Sequence, residues 1–288
     1  MLTWASSRSN AAVDGILAIR TNTGSVPIVK EASVQQESAK TSAPHVLEIA
    51  ANSLASALAA QEGGASRIEL CAALELGGLT PSPAQIALVR ERLSIPVHVL
   101  VRPRAGDFAY ADEEHATMLA DIAHCAASGC EGVVVGALTA DGDVDMSRCR
   151  ELVAAAGELD LTFHRAIDVC RDPAAALEAV IVLGFRRVLS SGGRVSASGG
   201  SANLKRMIEQ ADGRIQIMPG AGIDADNIAA LMAATGAREF HASAKRTLPS
   251  RMRFAPADSL GMAGGETRSD AAEVRRLVDA LHGAASKA

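Results

Sequence analysis

Aromatic residues are scarce in this 288-residue chain: one Trp, one Tyr and five Phe amount to 2% of it. So few flat rings provide no series of platforms on which bases could stack. Positive charge is short as well. Lys and Arg number 28 against 33 Asp and Glu, a formal net charge of −5, so no basic stripe is available to neutralise phosphates. The two deficits exclude nucleic acid as an expected partner. The five cysteines, Cys71, Cys125, Cys130, Cys149 and Cys170, are an odd set without paired CxxC spacing. They signal neither a disulfide framework nor a structural zinc site, and a reducing cytoplasm is the expected compartment. No apolar run approaches the roughly 20 residues of a membrane span, and the start lacks a charged segment followed by an apolar one. A membrane partner is therefore not expected.

What is present divides at about residue 45. Residues 1–44 are rich in Ser, Thr, Ala and Asn and show no sustained apolar period, which predicts a disordered extension. A transit peptide would be Arg-rich and acid-poor, which fits only the first dozen residues; a misplaced start would look similar. From Val46 onward, short apolar runs recur: VLEIAA (46–51), RIELCA (67–72), PVHVLVR (96–102), GVVVGA (132–137), LTFHRA (161–166), RVLSS (187–191), RIQIMP (214–219) and EFHAS (239–243). Their starts are far enough apart for a crossover helix between each pair, the pattern of a parallel sheet.

Helix signals fill the gaps. Ser53 precedes LASALAAQE, and Ser82-Pro83 and Asp172-Pro173 each place a cap before a proline at the first helical position. Asp112 or Glu113, Asp145, Asp224 and Asp270 open further helices, and Gly63, Gly129, Gly157, Gly184 and Gly236 close them. Eight strands alternating with eight helices predict an α/β protein, a single (β/α)8 TIM barrel over residues 45–288. A doubly wound open sheet would carry a glycine-rich turn after its first strand, where this chain has AANSLASAL.

A barrel places its site at the strand C-terminal ends. Glu48 lies in the first strand, while Glu69 and Cys71 share a face of the second because side chains alternate with period two. Strand three runs into Arg102-Pro103-Arg104 and Gly106-Asp107. Strand five carries Thr162 and His164 on one face and Arg165 on the other, with Asp168 just beyond, and strand eight offers His241 and Ser243 on one face. Charges inside strands need partners, so Glu48, Glu69 and Arg102 belong either to a buried salt-bridge network or to a polar pocket. Two glycine loops, Ser191-Gly192-Gly193 and Pro219-Gly220-Ala221-Gly222, could bring backbone N–H groups up to an anion.

Six segments resemble the copper homeostasis protein CutC family: RIELCAALELGGLTPS (67–82), IPVHVLVRPRAGDFAYAD (95–112), LTFHRAIDVCRDP (161–173), RVLSSG (187–192), IMPGAGI (217–223) and EFHASA (239–244). The resemblance covers about residues 46–263. It implies a cytoplasmic, homo-oligomeric TIM barrel with a role in copper handling and Cu(I) held through cysteine. Cys71 matches the family's ELC cysteine and is the implied metal ligand. Ala50 stands where the family commonly has a cysteine, and Gly193 where it often has SGC.

Two functions follow as expectations. One is a cytosolic copper-homeostasis protein binding Cu(I), a soft ion that prefers thiolate. The other is a barrel enzyme acting on a small phosphorylated or carboxylated metabolite, with Glu48, Glu69, Arg102, His164 and Asp168 in its catalytic site. Glu69 or His164 would be general base or acid, and Asp168 would orient the imidazole. Arg104, Gly192, Gly220, Gly222 and Ser243 would join Arg102 in holding the anion.

Overall fold

The computed structural model describes residues 45–254 and 264–285; the extension expected over residues 1–44 lies outside them. The eight strands are β1 (Val46–Ala51), β2 (Arg67–Leu70), β3 (Val97–Leu100), β4 (Gly132–Val135), β5 (Asp160–Phe163), β6 (Arg187–Ser190), β7 (Gln216–Pro219) and β8 (Glu239–Ala242). Consecutive strands pair in parallel from β1 to β7, and β1 also pairs with β8. β7 and β8 come together across the remaining gap, so the sheet is a nearly closed barrel.

Period-two alternation sorts the strand residues between two environments. Leu47, Ile49, Ile68, Val97, Val99, Val133, Phe163, Val188, Ile217 and Phe240 face outward and join the helices in one large apolar core. The alternate positions face the barrel axis. Only Cys71, Leu100 and Val134 form a buried apolar cluster of their own; most other axial positions are polar or charged, and this makes the barrel interior the place to look for chemistry.

Seven helices begin close to their predicted caps or after a short turn. Ser53 Oγ accepts from Ser56 N–H, Ser82 Oγ from Gln85 N–H, and Asp172 from the N–H groups of Ala174 and Ala175. These open α1 (Leu54–Glu62), α2 (Pro83–Arg92) and α5 (Pro173–Val182). Asp145 opens α4 (Met146–Ala156) in the same way, whereas α3 (Asp112–Ala127) starts after Ala111, which has no capping side chain, and Glu114 reaches back to accept from Ala111 N–H at 2.8 Å. α6 (Ser201–Ala211) starts from Gly200, which has no side chain to cap it, so the sequence carries no start signal there. α7 (Ile228–Thr235) begins four residues after Asp224, because the Asp224 carboxylate closes a turn onto Asp226 and Asn227 N–H first. α8 (Ala271–Ala285) is capped by Asp270.

Two features were not predicted. A two-stranded antiparallel arm, β9 (Lys245–Leu248) with β10 (Glu266–Ser269), precedes α8. It is anchored to the end of β1, where Ser269 Oγ donates to Ala50 O and Asn52 Nδ2 to Thr267 O. The fifth strand also stops earlier than expected: Phe163 is its last residue, and His164 turns the chain into a short 3-10 helix at Arg165–Val169.

Candidate functional site at the barrel mouth

The lower axial layer is an ion network. Arg67 donates from Nε to Glu48 and from Nη2 to Glu239 at 2.8 Å, and Arg187 donates to Glu239 at 3.0 Å and to Thr162 Oγ1 at 3.3 Å. Arg187 also lies 3.6 Å from Asp160. Burying these charges is tolerable because each has an opposite partner. Glu48, 0% exposed, holds the network to the layer above, since its Oε1 meets His241 Nδ1 at 2.8 Å.

Above it opens a cavity of about 520 Å³, lined among others by Glu69, Arg102, Phe108, His164, Asp168, His241, Ser243 and Lys245. That is a usual size for a small-molecule site. Glu69 and His241 face each other at its floor, with Nε2 to Oε2 at 3.8 Å. Burial pushes the Glu69 carboxyl up to about 7; His241 and Arg67 pull against this while Glu48 reinforces it. The His241 imidazole moves up too: burial opposes its charge, but Glu69 and the hydrogen bond to Glu48 outweigh burial. Glu48 itself stays well below the usual carboxylate range, because Arg67 and His241 overcome its own burial. A carboxyl that titrates near neutrality beside an imidazole whose pKa is raised can exchange a proton with a bound molecule.

His164 belongs to a different environment. It is 4% exposed and packs at a tilt against Phe108 with ring centroids 4.7 Å apart, while the Arg102 guanidinium lies 5.2 Å from the same Phe108 ring. Burial, then Arg102, lowers its pKa to about 3, so the imidazole is neutral at physiological pH. Its Nδ1 accepts from Ala166 N–H at 3.3 Å, which puts the proton on Nε2. That Nε2 is buried and has no protein partner.

Several expected site residues sit elsewhere or are already engaged. Arg104 does not line the cavity; it is tied to Glu114 at 2.6 Å and Asp107 at 3.0 Å, because the loop after β3 folds back over α3. Asp168 does not orient His164. Its carboxylate instead accepts from Ser190 Oγ, Ser191 N–H, Gly193 N–H and Arg165 Nε. The N–H of Gly192 goes to Ser190 Oγ at 2.9 Å, so the glycine loop after β6 is filled by the protein's own groups. Gly220 N–H is likewise taken by Ser190 O at 2.9 Å, and a Cβ at Gly220 would press on the Leu189 side chain, 2.5 Å from its Cδ1. Gly222 and Ser243 do line the cavity. Glu48 lies beneath it as a positioning residue for His241. Arg102 lines it, with three N–H groups given to the carbonyls of Leu76, Gly78 and Gly106.

The sulfur chemistry does not fit Cu(I). Cys71 is sealed in the small apolar cluster, outside the cavity wall, and burial followed by Glu69 and Glu75 pushes its thiol far up. Cys170 donates to Ala166 O, and burial raises it to about 11. Among the described residues, the close-set group able to hold an ion is Glu48, Glu69 and His241, which offers hard oxygen and imidazole donors. Glu48 is already committed to Arg67 and His241. Two contributors were not assigned roles by sequence reasoning: His241, a polar residue on an axial strand position, and Lys245, whose place in an unpredicted strand hid it.

Comparison with known proteins places this geometry in a family. A model described as CutC family matches residues 45–246. A CutC family protein from Xylella fastidiosa is 53% identical over 240 residues, 83% of this chain and 90% of its own. A human copper homeostasis protein cutC homolog is 48% identical over 209 residues, 73% and 77% of the two chains. The crystal structure of CutC from Streptococcus agalactiae superposes with a TM-score of 0.66 at 32% identity, covering 68% of this chain and 97% of that one.

Proposed function

The chain belongs to the CutC family, and from that membership and the barrel mouth we propose that it serves copper homeostasis indirectly, by binding and transforming a small phosphorylated or carboxylated metabolite. The observation that carries this reading is Arg102. Arg102 is 7% exposed and lines the cavity, and its guanidinium donates to carbonyl oxygens and lies against the Phe108 ring, with no carboxylate partner among the described residues. A buried cation on a cavity wall without a counter-ion is costly unless an anionic ligand completes it.

In this reading the field of Arg102 draws an anionic substrate into the mouth, and the Glu69–His241 pair exchanges a proton with it. Glu48 orients His241 and favours its protonated form. The chemistry is proton transfer, as in isomerisation or elimination, since Glu69 near neutrality can both take and return a proton. Copper enters through the names of relatives, and Cys71 has no part in the site. A cytoplasmic setting and self-association belong to the same proposal. The five free, buried cysteines support the first, and the family resemblance supports the second.

The test is a thermal-shift screen of phosphorylated and carboxylated metabolites against wild type, Arg102→Met and Glu69→Gln, run beside anaerobic Cu(I) competition with Cys71→Ser. We expect anionic metabolites to stabilise wild type and to lose that effect in both mouth variants. The proposal is overturned if no anionic metabolite binds while Cys71→Ser abolishes tight Cu(I) uptake.

A further inference from the structure

Arg102 brings charge to the cavity but few free donors, because three of its N–H groups hold carbonyl oxygens. The strand order places β7 four strands from β3, on the far side of the barrel. There the cavity wall consists of the loop leaving β7 and the residues following β8, through Ala221, Gly222, Ile223, Ser243 and Lys245. The β7 loop is built with its acceptors turned away from the cavity. Ala197 N–H binds Ala221 O at 2.9 Å, and Asn227 Nδ2 binds Gly222 O at 2.8 Å. Its donors are left over: no protein acceptor takes the N–H of Ala221, Gly222 or Ile223 among the described residues. The Ser243 hydroxyl has no hydrogen-bond partner and the Lys245 ammonium no acidic partner among them either.

The neighbouring loop shows what such donors do when an anion is at hand. After β6, the N–H groups of Ser191 and Gly193 are both filled by the Asp168 carboxylate, at 3.1 and 3.0 Å. Among the described residues no carboxylate takes the N–H groups of residues 221–223, the Ser243 hydroxyl or the Lys245 ammonium; those of Glu48 and Glu69 face His241 instead. An independent sign of a ligand comes from His164, a side chain 4% exposed whose buried Nε2 lines the same cavity without a partner. A lone buried donor of this kind is expensive unless something accepts from it.

We propose that the β7 and β8 loops, through the free N–H groups of residues 221–223, Ser243 and Lys245, seat the phosphate of a phosphomonoester, while His164 Nε2–H donates to an oxygen elsewhere on the same molecule. The inference rests on the anion-pocket reading and narrows it to a substrate class. A tetrahedral dianion can accept from several backbone amides, a hydroxyl and an ammonium together, which a planar carboxylate cannot match. Loops after strands seven and eight are also where barrels of this kind commonly hold phosphate, and the neutral His164 suits a carbonyl or hydroxyl oxygen better than a second anion.

The experiment is calorimetric titration with inorganic phosphate, glycerol 3-phosphate and acetate, on folded wild type, Ser243→Asp, Lys245→Glu, Arg102→Met and His164→Phe. Ser243→Asp places a like charge in the seat and should weaken phosphate at least tenfold; Lys245→Glu, a surface change safe for folding, should weaken it several-fold. His164→Phe should leave inorganic phosphate within twofold yet weaken glycerol 3-phosphate about tenfold. Phosphate affinity unchanged in Ser243→Asp and Lys245→Glu but lost in Arg102→Met would overturn the seat while leaving an anion pocket in place. Wild type that binds neither phosphate nor acetate would overturn both.

Discussion

The two halves of the barrel interior use the same residue types to opposite ends. In the lower half, Arg67 lies between Glu48 and Glu239, and Arg187 between Glu239 and Asp160, so every cation has an anion. In the upper half, Arg102 and Lys245 have no acid partner among the described residues, and His164 Nε2 has none of any kind. The same period-two alternation delivers both sets to the axis. A closed network is what a buried charge needs to be structural, and an open one is the mark of a missing ligand. Glu48 joins the halves, because one of its oxygens faces Arg67 and the other His241.

The comparison breaks first at Arg67. Arg67→Met leaves buried Glu48 with His241 alone and Glu239 with Arg187 alone, and we expect a loss of about 3–5 kcal/mol in urea unfolding, the usual cost of removing one partner from a buried pair. A loss no larger than that of a surface substitution would mean the lower network is not structural.

Acid acts on both halves. His98 in the lower barrel and His164 in the upper have folded pKa values of about 4 and about 3, below the ordinary 6.5. Burial is the main cause in each. The folded state therefore binds fewer protons than the unfolded, so the stability these groups contribute is present above pH 6.5 and is lost as pH falls toward 3–4. Urea melts should lose on the order of a few kcal/mol between neutrality and pH 4, and His164→Phe should lose visibly less over the same range.

Cys71→Ser sharpens the contrast within the upper half. A hydroxyl in that apolar cluster costs about 1–3 kcal/mol, but metabolite binding should match wild type, since Cys71 is walled off from the cavity. The smallest expected stability effect is Glu69→Gln, within about 1 kcal/mol because the carboxyl is already half protonated near pH 7. That variant should nonetheless lose ligand-dependent stabilisation in the same thermal-shift assay. Large destabilisation with intact binding would move Glu69 into the structural class.

Much of the barrel was legible without coordinates. Eight apolar runs, Asp and Ser caps, and glycine stops are local signals, and strand and helix formation obeys local rules. The exceptions were local failures of the same kind. Gly200 before α6 has no cap to read, and the polar β9–β10 arm shows no apolar period. Family membership was equally legible, since RPRAGDF and TFHRAID are long contiguous strings. Candidate polar residues could be named from alternation alone, because a strand sends Glu48 and Glu69 to the axis whatever surrounds them.

Their partners could not. Asp168 lies four residues from His164 in the chain yet binds the β6 loop, Arg104 is two residues from Arg102 yet leaves the cavity, and His241 meets Glu48 across 193 residues. Burial raised Glu69 and sealed Cys71, and burial is a property of the closed barrel. Sequence by itself determined which residues would form strands, helices and an axial polar face, because those depend on neighbours along the chain. Only the tertiary structure decided which charges are satisfied and which await a ligand, because pairing energy falls with distance in space and is indifferent to distance in sequence.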